Sequence, residues 1–251
     1  MTDQHETAVV VGATGAMGRV IAQRLAEQGL RVLAVARNVA ALDSLVAELP
    51  GCRACEADIA SDEAVEQIGA ALEGPVRAVV HGPGVATAGG VMNAATSAVV
   101  DAVNIKVGGF MRLVRAVDAH LVSSSRLIAI GGHYGFEPTA YAATAGVANA
   151  ALVNLVRQYS WAYGSRAITA HLLAPGPADT DRLRRVAESR AERDGRTVDA
   201  VLEELRNESA IGAFTTPAQV AWAVTTLLAP EANALAGSSL MLDSGRRKGL
   251  P

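Results

Sequence analysis

The stretch Val9-Val10-Val11-Gly12-Ala13-Thr14-Gly15-Ala16-Met17-Gly18 carries the strongest local signal in this chain of 251 residues. A β-branched run ends at a glycine and leads into apolar residues at helical spacing, which predicts a strand, a tight turn and a helix. Gly12 permits the turn, Gly15 lets the backbone approach a diphosphate, and Gly18 allows close packing of helix and strand. The N–H groups and positive dipole of the helix N-terminus favour phosphate. The alternative is that these glycines serve only a tight turn. The predicted cofactor-binding residues here are Gly12, Thr14, Gly15, Met17 and Gly18.

Strand-like and helix-like patterns alternate along the rest of the chain. Short apolar runs separated by helical patterns are typical of right-handed βαβ units. We therefore predict an α/β protein with a Rossmann-type, doubly wound, seven-stranded parallel sheet flanked by helices, in a single domain over residues 1–251. The predicted strands cover residues 8–11, 32–36, 52–57, 77–80, 126–130, 168–173 and 240–242, and the predicted helices cover 16–28, 40–49, 62–72, 97–120 and 140–163.

The segment 181–208 breaks this alternation, because it is charged and helical and contains no strand. It follows the sixth predicted strand, and ligands of this architecture bind beyond the carboxyl ends of the strands. We expect residues 181–212 to form a helical lid over the substrate crevice. A surface hairpin without that role is the alternative.

The second predicted strand ends in Arg37-Asn38. In a dinucleotide site of this architecture, the residues at the end of this strand distinguish NAD from NADP. An acidic residue there would hold the ribose hydroxyls of NAD, whereas an arginine can pair with the 2′-phosphate of NADP. The tetrapeptide 35–38 contains no acidic residue. We therefore predict NADP(H) as the cofactor, with NAD(H) less favoured, and with a solvated strand-end arginine as the alternative.

Composition excludes several classes of protein. Half of the residues are apolar, 19% are charged and the net charge is −3, which predicts a packed core and no nucleic-acid partner. The apolar runs are shorter than the ~18 residues of a membrane span. The first seven residues lack the features of a secretory signal, so we expect a cytoplasmic protein. Cys52 and Cys55 form an isolated pair and predict two reduced thiols rather than a metal site.

Further motifs extend over nearly the whole chain. They are Asp58-Ile59, His81-Gly82-Pro83-Gly84, Asn104, Tyr141-Ala142-Ala143-Thr144, Pro175-Gly176-Pro177-Ala178-Asp179-Thr180, and residues 216–221 and 237–245. Together with the glycine-rich turn, these motifs resemble those of the short-chain dehydrogenase/reductase family and occur in the same order along the chain. The resemblance implies that Tyr141 and Asn104 are catalytic. It also implies cofactor contacts by Asp58, Ile59, Gly82, Pro175, Gly176 and Thr180.

Three positions depart from the family's classical pattern. Ala16 stands where classical members carry the middle glycine of Gly-x-x-x-Gly-x-Gly. Ala145 stands four residues after the tyrosine, where the family has a lysine. Residues 131–134, Gly-Gly-His-Tyr, occupy the place of the catalytic serine. The catalytic tetrad of the family is therefore predicted to be incomplete.

The missing lysine changes what Tyr141 is expected to do. Without a neighbouring cation its hydroxyl keeps a pKa of about 10, so it can donate a proton to a carbonyl oxygen but is a poor base. His133 is a candidate replacement for the serine, because imidazole titrates near neutrality; Thr139 is a nearby hydroxyl. Lys106 lies two residues from Asn104, and on a regular helix that spacing points it elsewhere.

Three functions are compatible with these residues. The first is an NADP(H)-dependent reductase of a small carbonyl-type substrate, with Tyr141, Asn104 and His133 as catalytic residues. The second is a non-redox enzyme of the same fold, such as a dehydratase, cyclase or isomerase. The third is a dinucleotide-binding regulatory protein without turnover. The resemblance also implies a homo-oligomer, a dimer or tetramer, formed through helices 97–120 and 140–163, and we expect no membrane partner.

Overall fold

The computed structural model describes residues 6–85 and 89–249. The strands are β1 (Thr7–Val11), β2 (Arg31–Ala36), β3 (Cys52–Glu56), β4 (Val76–His81), β5 (Leu121–Ile130), β6 (Thr169–Pro175) and β7 (Ser239–Leu242). They are all parallel and form one sheet in the order β3-β2-β1-β4-β5-β6-β7. The predicted doubly wound, seven-stranded sheet is confirmed. Its strand order reverses between β1 and β4, which opens a crevice at their carboxyl ends.

Helices cover both faces of the sheet. They are α1 (Ala16–Glu27), α2 (Val39–Glu48), α3 (Ala64–Ala70), α4 (Thr96–Val103), α5 (Gly109–Val117), α6 (Ala143–Tyr163), α7 (Asp181–Asp194), α8 (Val198–Asn207) and α9 (Pro217–Thr226). The apolar faces of α1, α2 and α9 bury one side of the sheet, and those of α3, α5 and α6 bury the other. Because both faces are covered, β1 is apolar at every position from Ala8 to Val11.

The two cysteines lie in different cores. Cys52 packs in the core under α1 and α2, whereas Cys55 packs in the core under α3 and α5. A separation of three residues along a strand places side chains on opposite faces of the sheet. Both thiols are free, as predicted, and burial raises the pKa of each.

The prediction of one continuous helix over residues 97–120 is wrong. A π-helical turn, Asn104–Gly108, separates α4 from α5, and a 3₁₀ turn, Asp118–His120, ends the segment. A π turn inserts one residue into an α-helix and shifts the faces that follow it. Close packing accompanies the turn, since a Cβ on Gly109 would lie 2.9 Å from Cε1 of His81. Hydrophobic periodicity alone did not reveal this shift.

Two other boundaries differ from the prediction. Strand β5 begins at Leu121, five residues before the predicted start, and it includes the serines at 123–125. Ser124 adopts a φ of 72°, and the Ser125 hydroxyl donates to the Val76 carbonyl at 2.6 Å, so a bulged polar segment is held in the sheet. Helix α6 begins at Ala143, which leaves Tyr141 in the turn before the helix.

Helices α7 and α8 form a separate unit between β6 and α9. Ala187, Ala191, Val201 and Leu205 bury a small apolar core between the two helices. A parallel bridge between Ala178 and Thr215 closes the base of this unit. We call residues 181–212 the helical insertion. In the part of the chain that the structure describes, no helix is both long and apolar enough to cross a membrane.

Candidate active site

An open crevice of about 710 Å³ lies at the carboxyl ends of β1, β2 and β4. Eight of the predicted cofactor-binding residues line it: Gly12, Thr14, Gly15, Arg37, Asn38, Asp58, Ile59 and Gly82. These residues come from four separate loops of the sequence, and the parallel sheet brings the loops to one edge. The crevice is therefore where the fold and the sequence motifs both place a ligand.

The glycine-rich turn leaves room for a diphosphate. Gly12 has a φ of +81°, and a Cβ there would lie 3.0 Å from the Gly82 carbonyl oxygen. A Cβ on Gly18 would lie 2.0 Å from the Gly12 carbonyl oxygen, so only glycine permits this contact of turn and helix. Gly15 is the N-cap of α1, and neither a capping side chain nor an acidic residue occupies the first turn. The N–H groups of that turn can therefore donate hydrogen bonds to an anion.

Charged and polar side chains lie at the β2 end of the crevice. The Arg37 side chain is 76% exposed, and its guanidinium lies 3.9 Å from the Asp58 carboxylate. Asn38 is the N-cap of α2, where its Oδ1 accepts a hydrogen bond from the Ala41 N–H at 3.0 Å. Oδ1 of Asp58 accepts from the Ala60 N–H at 3.1 Å. Arg37 thus presents an exposed cation at this end, beside two side chains that are hydrogen-bonded to the backbone.

The other predicted cofactor-binding residues surround the crevice rather than line it. Met17 packs half-buried against the core under α1. Pro175 ends β6, and a Cβ on Gly176 would lie 3.0 Å from the Asp243 Cα. Thr180 is the N-cap of α7, and its hydroxyl donates to the Ala178 carbonyl at 3.2 Å. The loop 175–180 therefore links the sheet directly to the helical insertion.

Tyr141 belongs to a cluster of aromatic and cationic side chains. Its hydroxyl shares a hydrogen bond of 2.6 Å with the Tyr134 hydroxyl, and the two rings meet edge to face at 5.6 Å. The Arg190 guanidinium of α7 lies 4.1 Å from the centre of the Tyr141 ring. Burial, together with the bond to Tyr141, raises the pKa of Tyr134 well above its usual range. The Tyr134 hydroxyl therefore keeps its proton near neutrality.

His133 lies beneath these tyrosines. It is only 4% exposed, and its ring centre is 3.9 Å from that of Tyr134. Burial first, and then Arg246, lower the pKa of His133 to about 4, while a hydrogen bond to the Pro175 carbonyl opposes the shift. Its Nε2 has no hydrogen-bond partner among residues 6–85 and 89–249. The imidazole is thus neutral at physiological pH and retains one buried polar atom for another ligand.

The structure does not bring the Asn104 side chain to this cluster. Its Nδ2 donates to the Ala60 carbonyl at 2.9 Å, and its Oδ1 accepts from Arg112 at 2.9 Å. Both polar atoms of the amide therefore bond next to the β3–α3 loop and not to Tyr141 or His133. The sequence match identified the position, but the π turn that begins at Asn104 decides where its side chain lies.

Lys106 is a buried residue that the sequence prediction set aside. The π turn directs it inward, where it is 6% exposed, and its Nζ donates to the Ile130 carbonyl at 2.8 Å. Burial and the nearby Arg182 lower its pKa to about 7. One signal was available in the sequence, since Lys106 and Lys248 are the only lysines among 22 basic residues and Lys106 lies in an apolar stretch.

The helical insertion contacts both parts of the site. Arg182, at the start of α7, donates to the Val85 carbonyl at 2.6 Å beside the crevice. Arg190, eight residues further along α7, lies over the Tyr141 ring. Arg246 anchors the end of α8 through the Leu205 carbonyl at 2.8 Å and an ion pair with Glu208. The insertion therefore lies over the space between the crevice and the tyrosine cluster.

Comparisons with known proteins agree with this architecture. A family model described as enoyl-(acyl carrier protein) reductase matches residues 12–247. The short-chain reductase protein NovJ of Streptomyces niveus is 27% identical over 257 residues, which cover 97% of this chain and 94% of NovJ. The 3-oxoacyl-(acyl-carrier-protein) reductase FabG of Pseudomonas aeruginosa is 30% identical over 203 residues, which cover 76% of this chain and 81% of FabG. The crystal structure of an actinorhodin polyketide ketoreductase variant with NADPH has a TM-score of 0.90 and 24% identity, with 98% of each chain covered.

Proposed function

This chain belongs to the short-chain dehydrogenase/reductase family, and from that premise we propose that it is an NADP(H)-dependent reductase of a small carbonyl compound. The observation that carries the proposal is the crevice, which places a glycine-rich helix N-terminus and Arg37 on one ligand path. The tyrosine cluster supplies a proton donor under the same helical insertion.

The residues of the crevice fit a dinucleotide with a 2′-phosphate. Gly12 and Gly15 line the crevice, and the uncapped N–H groups at the start of α1 can bind the diphosphate. The exposed Arg37 guanidinium can pair with a 2′-phosphate in addition to its 3.9 Å contact with Asp58, and the crevice residues Ile59 and Asp58 flank the expected adenine site. NADPH bound to the ketoreductase of the same fold supports this choice of cofactor.

The proposed chemistry uses an incomplete version of the family's catalytic residues. NADPH, when bound, supplies the hydride that the carbonyl carbon accepts. The Tyr141 hydroxyl donates its proton to the carbonyl oxygen, which completes the alcohol, and the tyrosinate then recovers a proton from water. Tyr134 holds the Tyr141 hydroxyl in place through their 2.6 Å hydrogen bond. We propose that His133, next to the serine position, offers its buried Nε2 as a hydrogen-bond partner in the substrate pocket.

The helical insertion has a proposed role as a lid. Its Arg182 and Arg190 reach the two halves of the site, and its base is held by the Ala178–Thr215 bridge and by Arg246. Because α7 and α8 share a core of their own, they can move as one body when these contacts change. Closure would exclude water from the carbonyl, which strengthens the hydrogen bond from the tyrosine.

The direct test is consumption of NADPH with a panel of ketones, aldehydes and 3-oxoacyl thioesters. Loss of NADPH absorbance with a matching alcohol product supports the reductase. Dinucleotide binding without turnover of any carbonyl would instead indicate a regulatory protein, and conversion of a substrate without NADPH loss would indicate a non-redox enzyme. Failure to bind either dinucleotide would contradict all three functions.

Charge reversal at Arg37 is expected to change the cofactor preference. In Arg37→Glu we expect NADPH affinity to fall by roughly 10–100-fold, because a charge-assisted hydrogen bond contributes about 1.5–3 kcal/mol. NADH affinity should be kept or improved, since a carboxylate can bind ribose hydroxyls. Titration of both cofactors by calorimetry measures this. The control is Arg24→Glu on the exposed face of α1, which should change neither affinity.

We also propose that the protein is a homo-oligomer associating through α4 and α6. Apolar side chains are exposed on these helices, including Val100, Val147 and Trp161, the last of them 89% exposed. Exposed apolar groups of this size favour a protein interface. Sedimentation at micromolar concentration is expected to give a dimer or tetramer, and Trp161→Glu should weaken it. A monomer under these conditions would contradict the proposal.

A further inference from the structure

Lys106 carries a buried charge without an anionic partner. Its ammonium has three donors, and the structure provides one acceptor, the Ile130 carbonyl at 2.8 Å. No carboxylate forms an ion pair with it in the described ranges, and the charge that acts on it is the like charge of Arg182. Burying an ammonium in this way is costly unless further acceptors satisfy it. The arrangement therefore indicates a ligand that brings acceptors to the Nζ.

The position of the Nζ points to the cofactor crevice. Lys106 follows Ile105, which lines the crevice, and the Nζ is bonded to the last residue of β5. Ile130 also touches the crevice wall, since a Cβ on Gly82 would lie 3.2 Å from its Cδ1. Gly131 and Gly132, in the place of the family's serine, follow directly. The Nζ thus lies at the carboxyl end of β5, the strand next to β4, whose end borders the crevice.

We propose that Lys106 supplies, from the π turn, the cation that position 145 lacks, and that its ammonium donates to the hydroxyls of the nicotinamide ribose. The inference rests on the proposed function, because it requires a nicotinamide dinucleotide in the crevice. Two free donors match the two adjacent ribose hydroxyls. The π turn agrees with this role, because a regular helix would direct Lys106 away from β5.

A purely structural lysine makes the opposite prediction for stability. If Lys106 only tied the π turn to β5, its removal would lower the melting temperature and leave cofactor affinity intact. If Lys106 instead binds a ligand, replacing it with an apolar residue of similar volume removes a buried charge that has no partner in the cofactor-free protein. The cofactor-free variant should then keep or gain stability. Lys106→Met separates the two roles. The matched control is Lys248→Met, which changes the only other lysine, an exposed one.

The experiment measures NADPH affinity by fluorescence and calorimetry, and melting temperature without cofactor. For Lys106→Met we expect at least a tenfold loss of affinity, with no decrease in melting temperature, and for Lys248→Met no change. Should the methionine variant fail to fold, Lys106→Gln keeps a donor for the Ile130 carbonyl and removes the charge. It should show the same loss of affinity.

The pH dependence of binding gives an independent readout. The groups that face Lys106 are His81, whose pKa is lowered to about 3 by burial and by Lys106, and Arg182, which stays charged. Raising the pH from 6 to 9 should therefore weaken NADPH binding to the wild type more than to Lys106→Met. Of these three groups, Lys106 is the one that loses its charge in that pH range. Equal affinities and parallel pH profiles would overturn the role of Lys106 and leave the reductase standing. A wild type that binds no dinucleotide would overturn both.

Discussion

Replacing Tyr141 with phenylalanine is expected to slow carbonyl reduction by ~10²–10⁴-fold, the usual contribution of a positioned proton donor. The change removes only the hydroxyl, so the ring still packs under Arg190 and NADPH affinity should stay within twofold to threefold of the wild type, on the order of a surface substitution. Single-turnover measurement of NADPH oxidation separates the chemical step from binding and product release.

Tyr134→Phe is the matched control for this prediction. It removes the partner of the 2.6 Å hydrogen bond and leaves the proposed donor in place. We expect a smaller loss of rate, about tenfold, which corresponds to one neutral hydrogen bond. A Tyr141→Phe enzyme that retains full activity, or a larger loss in Tyr134→Phe, would exclude Tyr141 as the donor and direct attention to Tyr134 or His133.

Introducing a single methyl group at Gly18 is expected to damage both the fold and the cofactor site. In Gly18→Ala the new Cβ would lie 2.0 Å from the Gly12 carbonyl oxygen and 2.8 Å from the Ala13 Cα, both of which are backbone atoms. Relief requires α1 to move away from β1. We expect a loss of about 3 kcal/mol in the free energy of unfolding, at the upper end of the usual cost of overpacking. The displaced helix N-terminus should also lose NADPH affinity by more than tenfold.

Gly164→Ala is the control for this second prediction. Gly164 has a φ of −56°, and a Cβ there would meet no atom within 4 Å. This variant should match the wild type in urea unfolding and in NADPH binding. Equal unfolding curves for Gly18→Ala and Gly164→Ala would show that the contact between turn and helix is not as tight as the structure places it.

Local patterns were sufficient to predict the fold and the residues that line the crevice. The β-branched run before Gly12 and the helical spacing after Gly15 each depend on neighbours a few positions apart, so they can be read along the chain. In a parallel sheet the carboxyl ends of the strands meet at one edge. Placing Arg37, Asp58 and Gly82 in the sequence was therefore enough to predict that they would line one site.

The chemistry of the site depends on contacts between distant segments. Lys106 is buried within a π turn, whereas hydrophobic spacing over 97–120 is compatible with an uninterrupted helix. The expectation for Lys106 concerned only its direction relative to Asn104, and the two side chains do bond to different segments. Burial also changes His133, which was expected to titrate near neutrality and whose pKa is lowered to about 4 under Tyr134.

The doubly wound sheet, the glycine-rich turn and the position of Arg37 could be predicted from the sequence, because each follows from periodicity and from residues close together in the chain. Which polar groups are buried, and which groups they contact there, became clear from the folded structure alone. Arg190 over Tyr141 and the Lys106 Nζ at the end of β5 are contacts across 49 and 24 positions, respectively. Burial and charge act through space, and the distances that set them are not encoded in local spacing.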